Sequence, residues 1–401
     1  MSAPDASSPP QAPQPAPGFY SWLRSRVRFD RNEFSGAFGD IGTDFPLIVA
    51  MILAAGLYIP SVLICFGAMQ ILTGLVYGMP MPAQPLKAMA LLVIAQKLSG
   101  NILYGAGLAI GVVMLLLTVT GSIDWLARAV PKVVVRGIQF GLGLQLSYLA
   151  LKNYIPADGN WGYALAAAAF LLTILLLGNR RFPPALFVIA LGIIYGVIFK
   201  FGGSVSNHGF GLRAPQLHLP MWHDIYIGFI LLAIPQIPLS LGNSVLATRQ
   251  VADDLFPERH VTVKKISETY SLMNLVNPFF GGIPTCHGSG GIAGHYAFGG
   301  RTGGSVIIYG LMYLIAGVFF SPGFGKVVQL FPLPVLGVIL IFESLALMRL
   351  VRDTMFIPGD FAIVLLVGLI CFGIPYGYVV GLIIGTALYY LLPDRLNAMS
   401  R

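Results

Sequence analysis

The chain has 401 residues, of which 56% are hydrophobic and only 10% are charged, and its formal net charge is +8. Soluble globular proteins carry about 25% charged residues, so this composition excludes an ordinary soluble domain and, for most of the chain, disorder. The apolar segments are continuous runs of roughly twenty residues rather than ten-residue alternations. This pattern predicts an all-α membrane protein with many spans and not a β-barrel.

The chain begins with a polar segment, residues 1–33. Residues 1–17 are mainly Pro, Ala, Ser and Gln, and we expect them to be disordered because they lack the apolar side chains of a core. Residues 20–33 are basic and amphipathic, and they are predicted to lie along the membrane surface before the first span. No positively charged region precedes an apolar stretch here, so the segment is not a secretory signal peptide.

The rest of the chain is predicted to contain about fourteen transmembrane segments, seven within residues 34–200 and seven within residues 224–392. In the first set, one span is predicted at 124–140 and the next at 141–151 joined with 161–178. Residues 201–223 would connect the two sets outside the cytoplasm, and residues 393–401 would form a short cytoplasmic tail. With both termini in the cytoplasm, most of the 24 Lys and Arg residues fall on the inner side, as the positive-inside rule requires. We expect a multi-pass protein of the plasma or inner membrane.

The two sets of seven spans resemble each other. Pro82 and Pro284 each open the third span of their set, and Pro131 and Pro332 each precede the fifth span. An odd number of spans per set inserts the second set upside down. Inverted repeats with interrupted helices at matching positions are typical of secondary transporters, with the site between the repeats.

Two segments, residues 78–87 and 281–291, are too rich in Pro and Gly to be ordinary membrane helix. Each predicts extended backbone followed by a helix start, near Ala83 in the first segment. Non-helical backbone at membrane depth is tolerated where protein buries it or where it lines a wet cavity. Two half-helices would therefore meet at mid-membrane with their amino ends converging.

Converging helix amino ends make an anion site, because each presents unpaired N–H groups and a partial positive charge. The backbone amides at 83–84 and 285–289 are the expected donors. Lys87 would add a full positive charge, and four further side chains offer donors: Gln84, Thr285, His287 and Ser289. The competing interpretations are helix breaks that only pack, a Lys87 that pairs with an acid, and a His287 that is a hydrogen-bonded core residue.

Carboxylates inside the first span are costly and therefore point to function. Asp40 and Asp44 are four residues apart on one helix face, and they could pair with Lys87 or Arg136 or carry a coupling proton. At the corresponding place in the eighth span, Gln236, Ser240 and Asn243 form a polar stripe.

Glu343 is the other acid deep within a span. It is a candidate for a proton relay or for an ion pair with Arg136, at the related position of the first set. The alternative for the polar stripe of the eighth span is plain helix–helix hydrogen bonding.

At these residues the chain resembles the sulfate permease superfamily and, within it, the molybdate transporter family. The similar motifs are FGDIGT at residues 38–43, MPAQPLK at 81–87, IPTCHGSGGIAGHY at 283–296 and FGGRTGG at 298–304. The resemblance implies two inverted sevens divided into core and gate domains, with an oxyanion between the third and tenth spans and often a homodimer. A C-terminal regulatory domain is not expected, as in the molybdate family, and the neutral Gln236 favours proton over sodium coupling.

The sequence therefore predicts a secondary transporter of an inorganic oxyanion, most simply molybdate, coupled to protons. The alternatives are a carrier of sulfate or another dianion, an uncoupled anion channel and a membrane scaffold; an enzyme, a cofactor, a metal site and a nucleic-acid partner are not expected. The predicted substrate-binding residues are Thr43, Ala83, Gln84, Lys87, Gln236, Thr285, His287, Gly288 and Ser289. Those predicted for coupling or for structural ion pairs are Asp40, Asp44, Arg136 and Glu343.

Overall fold

The computed structural model describes residues 19–391 apart from 124, 126–128, 177–183, 201–209, 322 and 324–330. The predicted disorder of residues 1–17 and the predicted tail at 393–401 lie outside the described residues, as does part of the predicted connection at 201–223.

The first half of the described chain contains nine helices and one short strand. They are α1 (Phe19–Arg26), α2 (Arg31–Gly36), α3 (Ile41–Ala55), α4 (Ile59–Tyr77), β1 (Ala83–Pro85), α5 (Lys87–Gln96), α6 (Gly100–Val119), α7 (Lys132–Leu149), α8 (Gly159–Leu176) and α9 (Pro184–Tyr195). A π-helical turn and a 3-10 turn across 150–158 join α7 to α8.

The second half of the described chain also contains nine helices and one strand. They are α10 (Trp222–Gly228), α11 (Ile234–Leu239), α12 (Ala247–Leu255), α13 (Val263–Val276), β2 (Thr285–His287), α14 (Ser289–Ala297), α15 (Gly304–Phe319), α16 (Leu333–Arg349), α17 (Pro358–Gly373) and α18 (Gly377–Leu391). Two π-helical turns join α10, α11 and α12 into one stretch. Pro235 and Pro238 lie within it, and because proline cannot donate the usual helix hydrogen bond, such irregular turns are expected there.

Local sequence signals explain several helix starts. Pro60 and Pro358 stand in the first turns of α4 and α17, where a missing N–H is harmless. The side chains of Ser99 and Thr262 cap α6 and α13 by accepting hydrogen bonds from the backbone of Ile102 and Lys265.

Five continuous helical stretches in the described residues are long and apolar enough to cross a membrane, and several shorter apolar helices accompany them. The five are Ile59–Tyr77, Gly100–Val119, Lys132–Leu176, Trp222–Leu255 and Leu333–Thr354. Lys132–Leu176 has 45 residues, about twice what one crossing needs. By length and composition, these helices agree with the predicted all-α membrane protein.

One predicted boundary between spans is wrong. The sequence predicts a break near residue 140, but α7 continues without interruption to Leu149. The irregular turns at 150–158, which include Pro156, coincide with the second interruption that the sequence predicts, between residues 151 and 161.

The helices form two packing groups. In the first group, α4 packs on α15, α6 packs on α10 and α13, α12 packs on α14, and α3 packs on α5. In the second group, α7 packs on α16 and α17, α16 packs on α8, and α17 packs on α18. Both halves of the chain contribute helices to both groups. The groups touch mainly where α9 meets α3 and where α7 meets α5.

The contact of α4 with α15 is close because glycines face each other. A Cβ atom placed on Gly67 would lie 2.5 Å from the carbonyl oxygen of Gly310. Larger residues at either position would force the two helices apart, so the spacing of this pair depends on glycine.

The N-terminal helices are fastened to the start of α15 by a buried carboxylate. Glu33, in α2, accepts hydrogen bonds from the backbone N–H groups of Arg301, Thr302 and Ser305 at 2.8–2.9 Å. A carboxylate at a helix amino end satisfies free N–H groups and complements the helix dipole. Glu33 therefore helps to hold the 301–305 segment in place, together with the hydrogen bonds of Arg28 to Thr302 and of Gly303 to Arg26.

Candidate substrate-binding site

The two predicted helix breaks meet in the middle of the first packing group. β1 and β2 pair antiparallel, with Ala83 opposite His287 and Pro85 opposite Thr285, and both strands are fully buried. Each strand leads directly into a helix, α5 at Lys87 and α14 at Ser289. The Leu86 N–H also donates to the Pro284 carbonyl oxygen at 3.0 Å. The strand pair therefore positions the first turns of both helices, and Lys87 of α5 and Ser289 of α14 line the same cavity.

A cavity of about 280 Å³ lies at these helix amino ends. It lies between the packing groups, because Gln139 and Leu142 of α7 and Leu347 of α16 line it opposite α5 and α14. The polar residues of its lining are Gln84, Lys87, Gln139, Gln236, Asn243, Ser244, Cys286, His287, Gly288, Ser289 and Gly290. Such a mixture of backbone and side-chain donors suits a small polar ligand.

Lys87 is the first residue of α5, and its side chain is exposed to this cavity. It makes no ion pair with any residue that the structure describes. Glu343, Asp40 and Asp44 act on it electrostatically. A lysine at a helix amino end adds its charge to the positive end of the dipole, which is unfavourable unless an anion is near.

Gln84 connects the cavity to the acids of α3. Its side-chain Nε2 donates to Oδ2 of Asp40, the residue that precedes α3. A Cβ atom on Gly288 would collide with the side-chain oxygen Oε1 of Gln84, so the Gln84 side chain can lie there only because residue 288 is glycine.

Asp44, one turn further along α3, is 1% exposed, and neither of its carboxylate oxygens has a hydrogen-bond partner among the described residues. The Asp40 carboxyl group is near enough to act on it electrostatically. Two neighbouring buried carboxyl groups cannot both be charged without a large energetic penalty.

Gln236 lines the cavity, but its side-chain amide is used within the protein. Its Oε1 accepts from the Met89 N–H in the first turn of α5 at 3.2 Å, and its Nε2 donates to Ser240 Oγ at 3.1 Å. Ser240 also bonds Tyr270 at 2.8 Å. Gln236 and Ser240 of the predicted polar stripe are therefore hydrogen-bonded within the protein and position α5, while Asn243, its third residue, lines the cavity.

His287 is fully buried, and both of its ring nitrogens have neighbours. Nε2 lies 2.7 Å from Thr269 Oγ1, and Nδ1 lies 3.4 Å from the Pro82 carbonyl oxygen. Its ring also makes an edge contact with Tyr77. The geometry favours the hydrogen-bonded core residue over the donor to a ligand.

Three predicted substrate-binding residues do not line the cavity. Thr43 lies in α3 outside the lining. The Ala83 N–H donates to Gln70 Oε1, and the Thr285 N–H donates to Asn274 Oδ1, each at 3.0 Å. The expectation of a helix start near Ala83 is wrong, because Ala83 belongs to a strand and α5 begins at Lys87.

Gln70 and Asn274 were missed by sequence reasoning. Each also donates a second hydrogen bond from its side-chain nitrogen. Gln70 donates to the Ala83 carbonyl oxygen and Asn274 to the Thr285 carbonyl oxygen, both at 2.6 Å. On the outer edge of each short strand, a side-chain amide thus takes the place of a neighbouring strand and hydrogen-bonds the backbone N–H and carbonyl groups of one residue. The available signal was one buried amide in the apolar helix before each proline-rich break.

Arg136 does not pair with Glu343, so that predicted partnership is wrong. Arg136 Nη2 lies 2.7 Å from Asp353 Oδ2, and Lys132 Nζ lies 2.6 Å from the same atom. Arg136 also donates to Oε1 of the cavity residue Gln139 at 2.9 Å. Glu343 makes no ion pair within the described chain.

The fold is similar to the folds of two solved membrane proteins. The fold matches the transmembrane domain of a cyanobacterial bicarbonate transporter, BicA, with a TM-score of 0.62 at 19% identity, covering 87% of this chain and 99% of that one. It also matches the mouse Slc26a9 anion transporter in its inward-facing state, with a TM-score of 0.66 at 15% identity, covering 93% and 70%.

Sequence comparison gives the family. The family described as "Molybdate transporter of MFS superfamily" matches residues 32–146 and 228–347. Two Arabidopsis thaliana relatives are similar: Molybdate transporter 2 is 34% identical, covering 83% of this chain and 82% of that protein, and Molybdate transporter 1 is 32% identical, covering 94% and 91%. The chain belongs to the molybdate transporter family, and it is a membrane transporter rather than an enzyme.

Proposed function

We propose that the protein transports molybdate across the membrane and binds it in the cavity between α5 and α14. The observation that carries this proposal is the juxtaposition of two helix amino ends with Lys87, which is exposed to the cavity and has no ion-pair partner in the described chain. The relatives named as molybdate transporters support the choice of anion.

The charge of the cavity lining favours a dianion. Two helix dipoles and Lys87 all contribute positive potential, and the lining contains no acidic side chain among the described residues. The free N–H groups in the first turns of α5 and α14, the Ser289 hydroxyl and the Lys87 ammonium group would donate to the oxygens of a tetrahedral anion. Gly288 and Gly290 let the backbone approach it closely.

Coupling to protons would reside in Asp40 and Asp44. Asp40 accepts from Gln84, and Gln84 lines the cavity, so the protonation of the acid pair and the occupancy of the anion site share one side chain. A proton held at the carboxylate oxygens of Asp44 and Asp40 would remove one negative charge beside the arriving dianion. Glu343 in α16 remains a second candidate for this proton.

The two packing groups support a transport motion in which one group moves past the other. The first group would be the core domain, which holds both half-helices, and the second the gate domain. We propose fourteen spans in two inverted repeats, residues 34–200 and 224–392. Support comes from the strands and half-helices, since β2 and α14 begin 202 positions after β1 and α5.

The placement in the cell follows from the distribution of basic residues. We propose that both termini face the cytoplasm of a cell whose plasma or inner membrane holds the protein. In this arrangement residues 1–33 and 393–401 are cytoplasmic, and residues 201–223 connect the repeats on the outside. We also propose a homodimer.

The test is uptake of radiolabelled molybdate into proteoliposomes that contain the purified protein. We expect saturable uptake that is faster with an inward proton gradient. A protonophore should return the uptake rate to its value without a gradient. Uptake that does not respond to the gradient would contradict proton coupling. The absence of any oxyanion uptake would contradict the proposed transport function. Sulfate that competes at equal concentration would broaden the substrate to tetrahedral dianions, and currents without saturation would indicate a channel.

A further inference from the structure

A second cavity, of about 530 Å³, lies on the face that carries the N-terminal helices. It shares no lining residue with the cavity between the half-helices. Four of its lining residues are arginines, which come from α1, the loop after it, the turn after α12 and the loop before α15: Arg24, Arg28, Arg259 and Arg301. We call this cavity the arginine pocket.

The positive charge of the arginine pocket is poorly compensated. Glu258 is the one acid among the described residues that line it, and none of the four arginines forms an ion pair with a described residue. Burial and the charge of Arg259 lower the pKa of the adjacent Arg26 guanidinium. The fold therefore holds four arginines around one pocket with a single acidic side chain, Glu258, which forms no ion pair with them.

Two of the arginines are held in place by the protein. The Arg301 guanidinium stacks 3.7 Å from the centre of the Tyr296 ring and donates to the Tyr296 carbonyl oxygen. Arg259 donates from Nη2 to the Ser25 carbonyl oxygen at 2.7 Å, while its buried Nε has no partner in the described chain. Preordered guanidinium groups lose little freedom when they bind a ligand.

The chemistry of the pocket indicates a phosphate group. The planar guanidinium fork matches pairs of phosphate oxygens, and several arginines around one concavity are a typical phosphate-binding arrangement. Beside the pocket, the N-terminal segment exposes Tyr20, Phe29 and Phe34, which are 81%, 67% and 55% accessible. Aromatic residues next to basic ones are typical of the membrane interface.

We propose that the arginine pocket binds the phosphate group of an acidic phospholipid headgroup. The N-terminal segment would then lie on the lipid surface, with its aromatic side chains in the interface and its two pocket arginines, Arg24 and Arg28, on the headgroup. Glu33 connects this segment to Arg301 and α15 through hydrogen bonds. The bound lipid would therefore fix the position of the first packing group relative to the membrane surface. The inference does not depend on which anion is transported.

The test measures binding to the purified full-length protein in a neutral detergent. The probes are short-chain phosphatidic acid, short-chain phosphatidylcholine and inorganic phosphate, each titrated by thermophoresis. The test variant is Arg24→Gln with Arg28→Gln, whose side chains make no hydrogen bond to a described residue. The matched control is Arg31→Gln with Arg352→Gln, which removes the same charge from exposed positions outside the pocket.

Wild-type protein is expected to bind phosphatidic acid and not phosphatidylcholine, with affinity reduced at least about tenfold in the test variant and less than about twofold in the control. Inorganic phosphate that binds with the same dependence would keep the phosphate site but assign it to a soluble oxyanion. Absence of binding, or equal loss in both double variants, would overturn the proposal. If the test variant unfolds, the two single substitutions repeat the comparison.

Discussion

At the scale of single residues, Lys87 provides the one full positive charge among the described residues that line the central cavity. It stands at the amino end of α5, where a carboxylate would be the favourable choice, and it has no acid in contact. Sequence reasoning left open whether this lysine is paired, and the structure leaves it exposed to the cavity. Three acids, Glu343, Asp40 and Asp44, favour its charge from a distance, but none forms an ion pair with it, so its ammonium group is free to contact an anion in the cavity.

We predict that Lys87→Gln lowers the affinity for molybdate by at least about tenfold, because it removes the full positive charge from the site. Uptake at increasing molybdate concentration in proteoliposomes measures this. Lys97→Gln is the matched control, since Lys97 is an exposed residue at the other end of the same helix. Equal uptake by the two variants would contradict the assignment of Lys87.

Asp44 allows a prediction about coupling. Asp44→Asn mimics the protonated side chain and removes an unpaired buried acid, so we expect a folded protein of unchanged or higher thermal stability. Molybdate uptake by this variant should no longer respond to an imposed proton gradient. Asp253→Asn, at an exposed residue that pairs with Arg249, is the control and should keep the response. A gradient response that survives Asp44→Asn would exclude Asp44 as a coupling residue.

At the scale of elements, two three-residue strands hold the half-helices together. A lone two-stranded pair is marginal by itself. Here both outer edges are completed by side chains, Gln70 on β1 and Asn274 on β2, so every strand has partners on both sides. The rigidity of the site therefore depends on two helices, α4 and α13, that do not line it.

We predict that Asn274→Ala destabilises the protein by about 2–4 kcal/mol, because it leaves the Thr285 N–H and carbonyl groups buried without partners. The apparent melting temperature in detergent should fall. Added molybdate should raise the melting temperature of this variant by less than it raises that of the wild type. Ser271→Ala, on the same helix, is the control, since its hydroxyl only bonds the carbonyl of Ser267. Similar melting temperatures for both variants would contradict the claim that Asn274 stabilises β2.

The junction between β2 and α14 depends on Gly288. We predict that Gly288→Ala abolishes most uptake, because the added methyl group displaces Gln84 and breaks its hydrogen bond to Asp40. Gly242→Ala is a suitable control, since its added methyl group would meet no atom within 4 Å. Retained uptake in Gly288→Ala would show that Gln84 can leave its place without consequence.

At the scale of the whole molecule, the sequence predicts most elements but few of the contacts between them. Proline and glycine located both helix breaks to within a few residues, because these residues cannot continue a helix in the normal way. The pairing of β1 with β2 joins segments two hundred residues apart, and three residues carry no periodic signal. The contact of Arg136 with Asp353 likewise depends on how α7 packs beside the turn after α16, which no local pattern encodes.

The division into two packing groups also emerges only from the structure. Each half of the chain supplies helices to both groups, so the groups do not correspond to continuous stretches of sequence. The central cavity lies at their boundary, with α7 and α16 on one side and the half-helices on the other. A ligand held there is in contact with both bodies whose relative movement would carry it across the membrane.

The central claim is that molybdate occupies the point where α5 and α14 begin. Anomalous scattering at the molybdenum absorption edge, from crystals of the protein grown with molybdate, tests it most directly. We predict one strong peak within hydrogen-bonding reach of the Lys87 ammonium group and the Ser289 backbone N–H. A peak confined to the arginine pocket, or no peak at saturating molybdate, would contradict the claim.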